Sequence, residues 1–182
     1  AYTTLGPRTY FNPVDNQAMG WSVPAALGAQ RVLPGRQVVT ITGDGCLLMT
    51  GMELSTAARE GLPVKFFILG DAAYTYMQIL QQSAYKRTTA TMLARIDYPS
   101  LAKAMGLTHV ELTPGDLEAK IRGILAIAGP VLVTVPVEMG KRPIRWIDAV
   151  KGRYTRELSA GQKTRFLTRL GVRSLKLHPQ ND

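Results

Sequence analysis

The sequence predicts a three-layer, doubly wound α/β domain, a parallel sheet with helices on both faces, followed by a basic helical tail. Three observations carry this. Residues 37–42, 64–69 and 131–135 are short, nearly continuous apolar or β-branched runs, the pattern of strands covered on both sides. Stretches of helical composition with start and stop signals separate them. The 182 residues suffice for one sizeable core and are too few for two comfortable domains.

In chain order, residues 1–18 read as a loop, broken by Gly6-Pro7 and Asn12-Pro13. Residues 19–33 suit a buried helix with Pro24 in its first turn, ended by Pro34-Gly35. Residues 37–42 form a buried strand closed by Gly43-Asp44-Gly45. A helix over 52–60 stops at Gly61 and leads into a strand over 64–69, closed by Gly70-Asp71. A short helix follows over 98–105 with Gly106 as its stop, then a short strand over 109–112. An amphipathic helix over 114–128 precedes the last strand, 131–135. The composition changes after Lys141-Arg142-Pro143, dividing the chain into a domain over 1–142 and a tail over 143–182, helical over 154–170.

Bulk properties narrow the function. Apolar residues make up 46% and charged residues 19%, ordinary for a globular protein. No apolar run approaches the roughly 18 residues of a membrane span. The chain starts without Met and shows no secretory signal, as expected of a stretch from within a longer protein. Cys46 is the single cysteine, which fits a reducing, cytoplasmic setting. The net charge of +9 is concentrated in the tail: from Lys141 onward eleven basic residues face three acidic ones. That tail lacks stacking aromatics and any zinc or helix-turn-helix signature, so nucleic acid is not the expected partner.

Two acids follow strands: Asp44 inside Gly43-Asp44-Gly45, and Asp71 after Gly70. In an open parallel sheet ligands bind at the carboxyl ends of the strands. Adjacent strands would bring both carboxylates to one crevice, and such hard oxygen ligands suit Mg²⁺ or Ca²⁺ rather than zinc. Gly43 and Gly45 would let backbone N–H groups approach an anion closely. Taken alone, the triplet reads more readily as a simple turn.

The ordered set of motifs resembles the thiamine-diphosphate-binding domain of thiamine-diphosphate-dependent enzymes. It comprises Gly43-Asp44-Gly45, Leu47-Leu48-Met49, Glu53-Leu54-Ser55-Thr56-Ala57, Leu62-Pro63-Val64-Lys65 and Leu69-Gly70-Asp71. The segment from Met19 to Ala29, and Pro34-Gly35-Arg36, are similar to the acetolactate synthase-like branch. The resemblance runs from about Thr9 to Pro136. It implies thiamine diphosphate and Mg²⁺ as cofactors, with Asp44, Asp71 and the Ala73 carbonyl as metal ligands. It implies N–H groups of Gly45 and Cys46 at the diphosphate, Met19 wedged under the cofactor, and backbone groups of Gln17 and Met19 on the aminopyrimidine. Gly43, Tyr74 and Tyr76 fall beside the cofactor; the two tyrosines either line the substrate channel or pack.

The sequence also departs from that branch. Gly70 stands where Asn is usual, Asp71 where Asn is commoner, and residues 72–77 are bulkier than the usual Gly-rich stretch. The tryptophan of acetolactate synthases has no counterpart; Leu80 stands near its place. The glutamate that activates the cofactor is supplied in this family by a pyrimidine-binding domain, in cis or from a partner subunit, so no catalytic residue is expected in this chain. The implied enzyme is a decarboxylase or carboligase, a lyase or transferase, acting on a small 2-oxoacid, and a homo-oligomer. The alternatives are a 2-hydroxyacyl-CoA lyase or oxalyl-CoA decarboxylase acting on an acyl-CoA, and a non-catalytic cofactor-binding or assembly module.

Overall fold

Among the described residues four strands, all parallel, make one sheet in the order β1-β2-β4-β3: β1 Val39–Gly43, β2 Lys65–Gly70, β3 Thr108–Glu111 and β4 Val131–Pro136. The structure, a computed structural model, describes residues 3–4, 6–138, 159–162, 164, 165 and 168. Most of the tail expected to form a basic helix lies outside the described residues; Ala160–Gln162, Thr164, Arg165 and Thr168 are helical. The chain divides into two compact units, residues 1–73 with 93–137, and residues 74–92 with 138–182.

The first unit contains the sheet. Its helices are α1 Ser22–Val32, α2 Asp44–Thr50, α3 Leu54–Arg59, α5 Tyr98–Met105 and α6 Leu117–Ala126. In the second unit α4 spans Thr75–Tyr85. Strand parity distributes the side chains between two cores. Phe66, Ile68 and Leu132 face a cluster with Val23 and Leu27 of α1, Leu47 of α2, Leu54 and Ala57 of α3, and Ala102 of α5. Phe67, Val131 and Val133 point to the opposite face and meet Ile124 of α6 and Leu112. Helices therefore cover both faces, as three layers require.

Several helix ends follow from local chemistry. Pro24 sits in the first turn of α1. The buried Gln30 amide donates to the carbonyls of Leu33 (3.1 Å) and Arg36 (2.8 Å), closing the turn at Pro34-Gly35. Asp97 and Asp116 cap α5 and α6 by accepting N–H bonds from Ser100 and Ala119.

Three elements differ from the sequence expectation. The residues after Gly43 form no open turn: α2 begins at Asp44 and runs into a 3₁₀ turn, Gly51–Glu53, before α3. α4 occupies a stretch whose sequence gave no helix signal. β1 is not buried on both sides. It is an edge strand whose Thr40 and Thr42 point inward, while Val39 and Ile41 are 44% and 67% exposed. A β-branched run identifies a strand but not its position in the sheet.

Lys65 is fully buried in β2. Its ammonium donates to the Ile127 carbonyl at 2.7 Å and the Gly129 carbonyl at 2.6 Å, tying the strand to the turn after α6. Burial pushes its pKa below the ordinary lysine value.

Candidate functional site

β1 and β2 pair with Gly43 opposite Leu69, so the residues that follow each strand emerge at the same edge of the sheet. Asp44 is 4% exposed there. Its Oδ1 accepts the Gly45 N–H and its Oδ2 the Ala72 N–H, both at 2.7 Å. Ala72 turns its N–H back toward β1 from the left-handed region, φ 55°, a conformation that costs an L-residue with a Cβ free energy. The Ala72 carbonyl in turn accepts from the Leu93 N–H at 2.9 Å.

A buried carboxylate is costly without a cation. Asp44 forms no ion pair among the described residues; two backbone N–H groups are its partners. No group of three or more His, Cys, Asp and Glu side chains converges among the described residues. The oxygen donors available at this edge, two aspartates and backbone carbonyls, fit a small hard divalent cation with retained waters.

Tyr98, at the start of α5, belongs to the same corner. Burial, then the nearby Asp44 and Asp71 carboxylates, push its hydroxyl pKa up to about 12. A Cβ placed on Gly70 would lie 3.2 Å from the Tyr98 Oη.

Beside this corner lies a cavity of about 460 Å³. Its walls come from the loop before α1, including Gln17, Met19 and Ser22, and from Ile41, Thr42, Gly43 and Cys46. Gly43 thus lines the cavity and directly precedes Asp44. Among the described residues no Asp, Glu, Lys or Arg lines it. The loop is pinned by the Thr50 hydroxyl, which donates to the Gly20 carbonyl at 2.9 Å, and by the Thr40 hydroxyl, which donates to the Ser22 carbonyl at 3.4 Å. Gly20 has φ 81°, and a Cβ there would come within 3.1 Å of Met49 and Thr50 side chains, so the close approach of this loop to α2 requires glycine. Gln17 also has positive φ, 50°. The Ser22 Oγ is buried without a hydrogen-bond partner among the described residues, a polar atom able to bond a ligand group.

Of the residues singled out in the sequence, Gln17, Met19, Gly43 and Cys46 line one cavity. Asp44, Gly45, Asp71 and Ala73 lie at the adjoining strand ends. The Gly45 N–H points to the Asp44 carboxylate. Tyr74 and Tyr76 fall in the second unit, where the Tyr74 N–H donates to the Thr91 carbonyl at 2.8 Å and Tyr76 lies in the first turn of α4. Sequence reasoning did not find Ala72 or Tyr98. Ala72 carries no signal for its backbone conformation, and Tyr98 sits 28 residues from Gly70, the strand end it adjoins.

The family described as "Thiamine pyrophosphate enzyme, C-terminal TPP binding domain" matches residues 1–135. The chain is 32% identical over 152 residues to an acetolactate synthase of Bacillus subtilis, covering 83% of this chain and 26% of that protein. It is 33% identical to the catabolic acetolactate synthase of Raoultella terrigena, covering 70% and 23%. With the mitochondrial acetolactate synthase catalytic subunit of Saccharomyces cerevisiae it shares 34% identity, covering 75% and 20%. The chain thus spans about a quarter or less of the length of these relatives.

Proposed function

The chain belongs to the family of C-terminal TPP-binding domains of thiamine pyrophosphate enzymes, and from that premise we propose that it holds thiamine diphosphate through a Mg²⁺ ion. Asp44, Asp71 and the Ala73 carbonyl are the protein ligands. The observation that carries this is the Asp44 carboxylate: 4% exposed, without a cationic side-chain partner among the described residues, at the paired ends of β1 and β2. A divalent cation there neutralises the buried carboxylate and attracts a diphosphate to the same corner.

The adjoining cavity takes the rings. Met19 and Ile41 supply apolar walls, the backbone of Gln17 and Met19 supplies hydrogen-bonding groups, and the Ser22 Oγ offers a further polar contact. When bound, the cofactor supplies the carbanion that attacks a carbonyl next to the bond being made or broken. The chain's own share is binding, orientation and charge neutralisation. Among the described residues the cavity lining contains no carboxylate, which supports assigning the acid that activates the cofactor to a pyrimidine-binding domain, in cis or on a partner subunit. The larger enzyme is an acetolactate synthase-like decarboxylase or carboligase of small 2-oxoacids. That reading is supported by the similarity to acetolactate synthases.

The test is calorimetric titration of thiamine diphosphate into the chain with and without Mg²⁺. Binding is expected only with the cation, and it should disappear in Asp44→Ala. Equal binding without Mg²⁺ would overturn the assignment.

A further inference from the structure

The start of α1 carries a polar atom that the described chain leaves unused. Ser22 is the first residue of the helix, and its Oγ is buried with no hydrogen-bond partner among the described residues. A buried polar atom without a partner is costly. The helix start around it is open as well. Trp21, which precedes it, provides no side-chain cap, and Pro24 has no N–H. Ala25 donates to the Trp21 carbonyl at 3.1 Å, which leaves the N–H groups of Ser22 and Val23 ahead of the helical ladder. The position is fixed relative to the sheet. The Thr40 hydroxyl donates to the Ser22 carbonyl at 3.4 Å, and Ser22 shares the cavity wall with Thr42 and Gly43, which directly precede Asp44. The hydroxyl therefore belongs to the β1 side of the cavity.

We propose that the Ser22 hydroxyl is a positioning group for the cofactor's diphosphate, donating to one of its oxygens from the start of α1. The inference rests on the cofactor reading given above and adds a diphosphate contact outside the Gly43–Cys46 segment. An O–H donated to a charged oxygen is among the stronger hydrogen bonds. The positive end of α1, a helix of 11 residues, favours the same charge. Neither Lys nor Arg lines the cavity among the described residues, so hydroxyl and N–H groups are the donors available there. A serine hydroxyl has one side-chain torsion to set, and little freedom is lost in fixing it. Ser22 thus costs the empty domain stability and returns it when the diphosphate arrives. Its removal should move empty-state stability and ligand affinity in opposite directions.

The experiment uses the 182-residue chain unsubstituted, as Ser22→Ala and as Asp44→Ala. Thiamine diphosphate and inorganic diphosphate are each titrated by calorimetry at fixed Mg²⁺, and thermal melting is followed without ligand. Ser22→Ala should weaken both ligands about tenfold, the scale of a hydrogen bond to a charged group. The two losses should match, because both ligands carry the diphosphate. The ligand-free variant should melt no lower than the parent, since an unsatisfied buried atom has been removed. Unchanged affinity for thiamine diphosphate in Ser22→Ala would overturn the inference. So would a loss confined to thiamine diphosphate, which assigns the hydroxyl to the rings, or a lower melting temperature, which assigns it to the fold. Failure of the unsubstituted chain to bind inorganic diphosphate would overturn it too. None of these touches the cation-site reading while Asp44→Ala abolishes cofactor binding. Absence of Mg²⁺-dependent thiamine diphosphate binding in the unsubstituted chain, or its survival in Asp44→Ala, would overturn that reading and this inference with it.

Discussion

The Ala72 N–H donates to Asp44 Oδ2 at 2.7 Å, joining residues that follow two neighbouring strands. The bond makes the loop after β2 part of the same rigid corner as the start of α2. It also turns a strained backbone, Ala72 at φ 55°, into a determinant of where a carboxylate points.

Ala72→Pro should therefore be severe. Proline removes the donated N–H and fixes φ near −65°, incompatible with φ 55° at this position. A loss of about 3 kcal/mol or more is expected in urea unfolding. A loss below about 1 kcal/mol would mean that the Asp44–Ala72 bond contributes little.

Asp44→Ala should abolish cofactor binding and not simply weaken it. Removing one partner of a buried charge pair costs about 3–5 kcal/mol, which is more than a hundredfold in affinity. Calorimetry with Mg²⁺ and thiamine diphosphate reads this directly, and an affinity within tenfold of the parent would refute the ligand assignment.

Lys65 gives a pH signature. Its folded pKa lies below the ordinary 10.5, so between the two values the unfolded chain binds more protons and stability rises with pH. The penalty of burying the charged ammonium is present below the folded pKa and is relieved as pH climbs toward 10.5. Lys65→Met lacks this gain but also loses the bonds to Ile127 and Gly129. Its deficit relative to the parent should widen as pH rises from 8 to 10 in parallel unfolding curves. A constant deficit would show that the lysine does not titrate differently in the fold.

Without a partner domain, the chain should show no turnover of pyruvate even when saturated with Mg²⁺ and thiamine diphosphate. Among the described residues no carboxylate lines the cavity proposed to take the cofactor's rings, and the ring needs an acid to be activated. Deuterium exchange at the thiazolium C2–H, followed by NMR, checks this. An exchange rate well above that of free cofactor would reveal a base within the chain.

Val39 and Ile41 should promote self-association through the edge of the sheet. Ile41→Lys places a charge on a 67% exposed position, so it should cost less than about 0.5 kcal/mol of stability while shifting sedimentation toward smaller species. An unchanged distribution would place the association surface elsewhere.

The parts of this architecture that were readable in the sequence had local causes. α5 was readable because Asp97, Pro99 and Gly106 mark its ends within a few residues. β2 and β4 were readable because a central parallel strand has to be apolar on both faces. α2 was hidden because Gly45, next to its start, reads as turn chemistry. α4 was hidden because Tyr74 offers no side-chain cap and Lys86, not glycine, adopts the left-handed end. At the site, the Gly43-Asp44-Gly45 triplet was visible, but taken alone it also fits a simple turn. The clustering of Gln17 and Met19 with Gly43 and Cys46 depends on long-range packing, which only the resemblance could anticipate. The Tyr98–Gly70 approach had no signal, since it joins a helix start to a strand end across the fold.

The strand order has a kinetic consequence. Of the four described strands β4 is made last, yet it lies between β2 and β3. As the chain leaves the ribosome, β1 and β2 can pair, but β3 has no neighbour until residues 131–136 follow it out. The central ladder thus closes in one late event that brings together segments some 65 residues apart, Lys65 and Val131 among them. Such non-local closure is slow, and until it happens the apolar faces of β2 and β3 are exposed to wrong partners. Yield on expression should therefore depend strongly on temperature and chaperone supply, and a stop codon placed before Val131 should give an insoluble product in place of a smaller folded one.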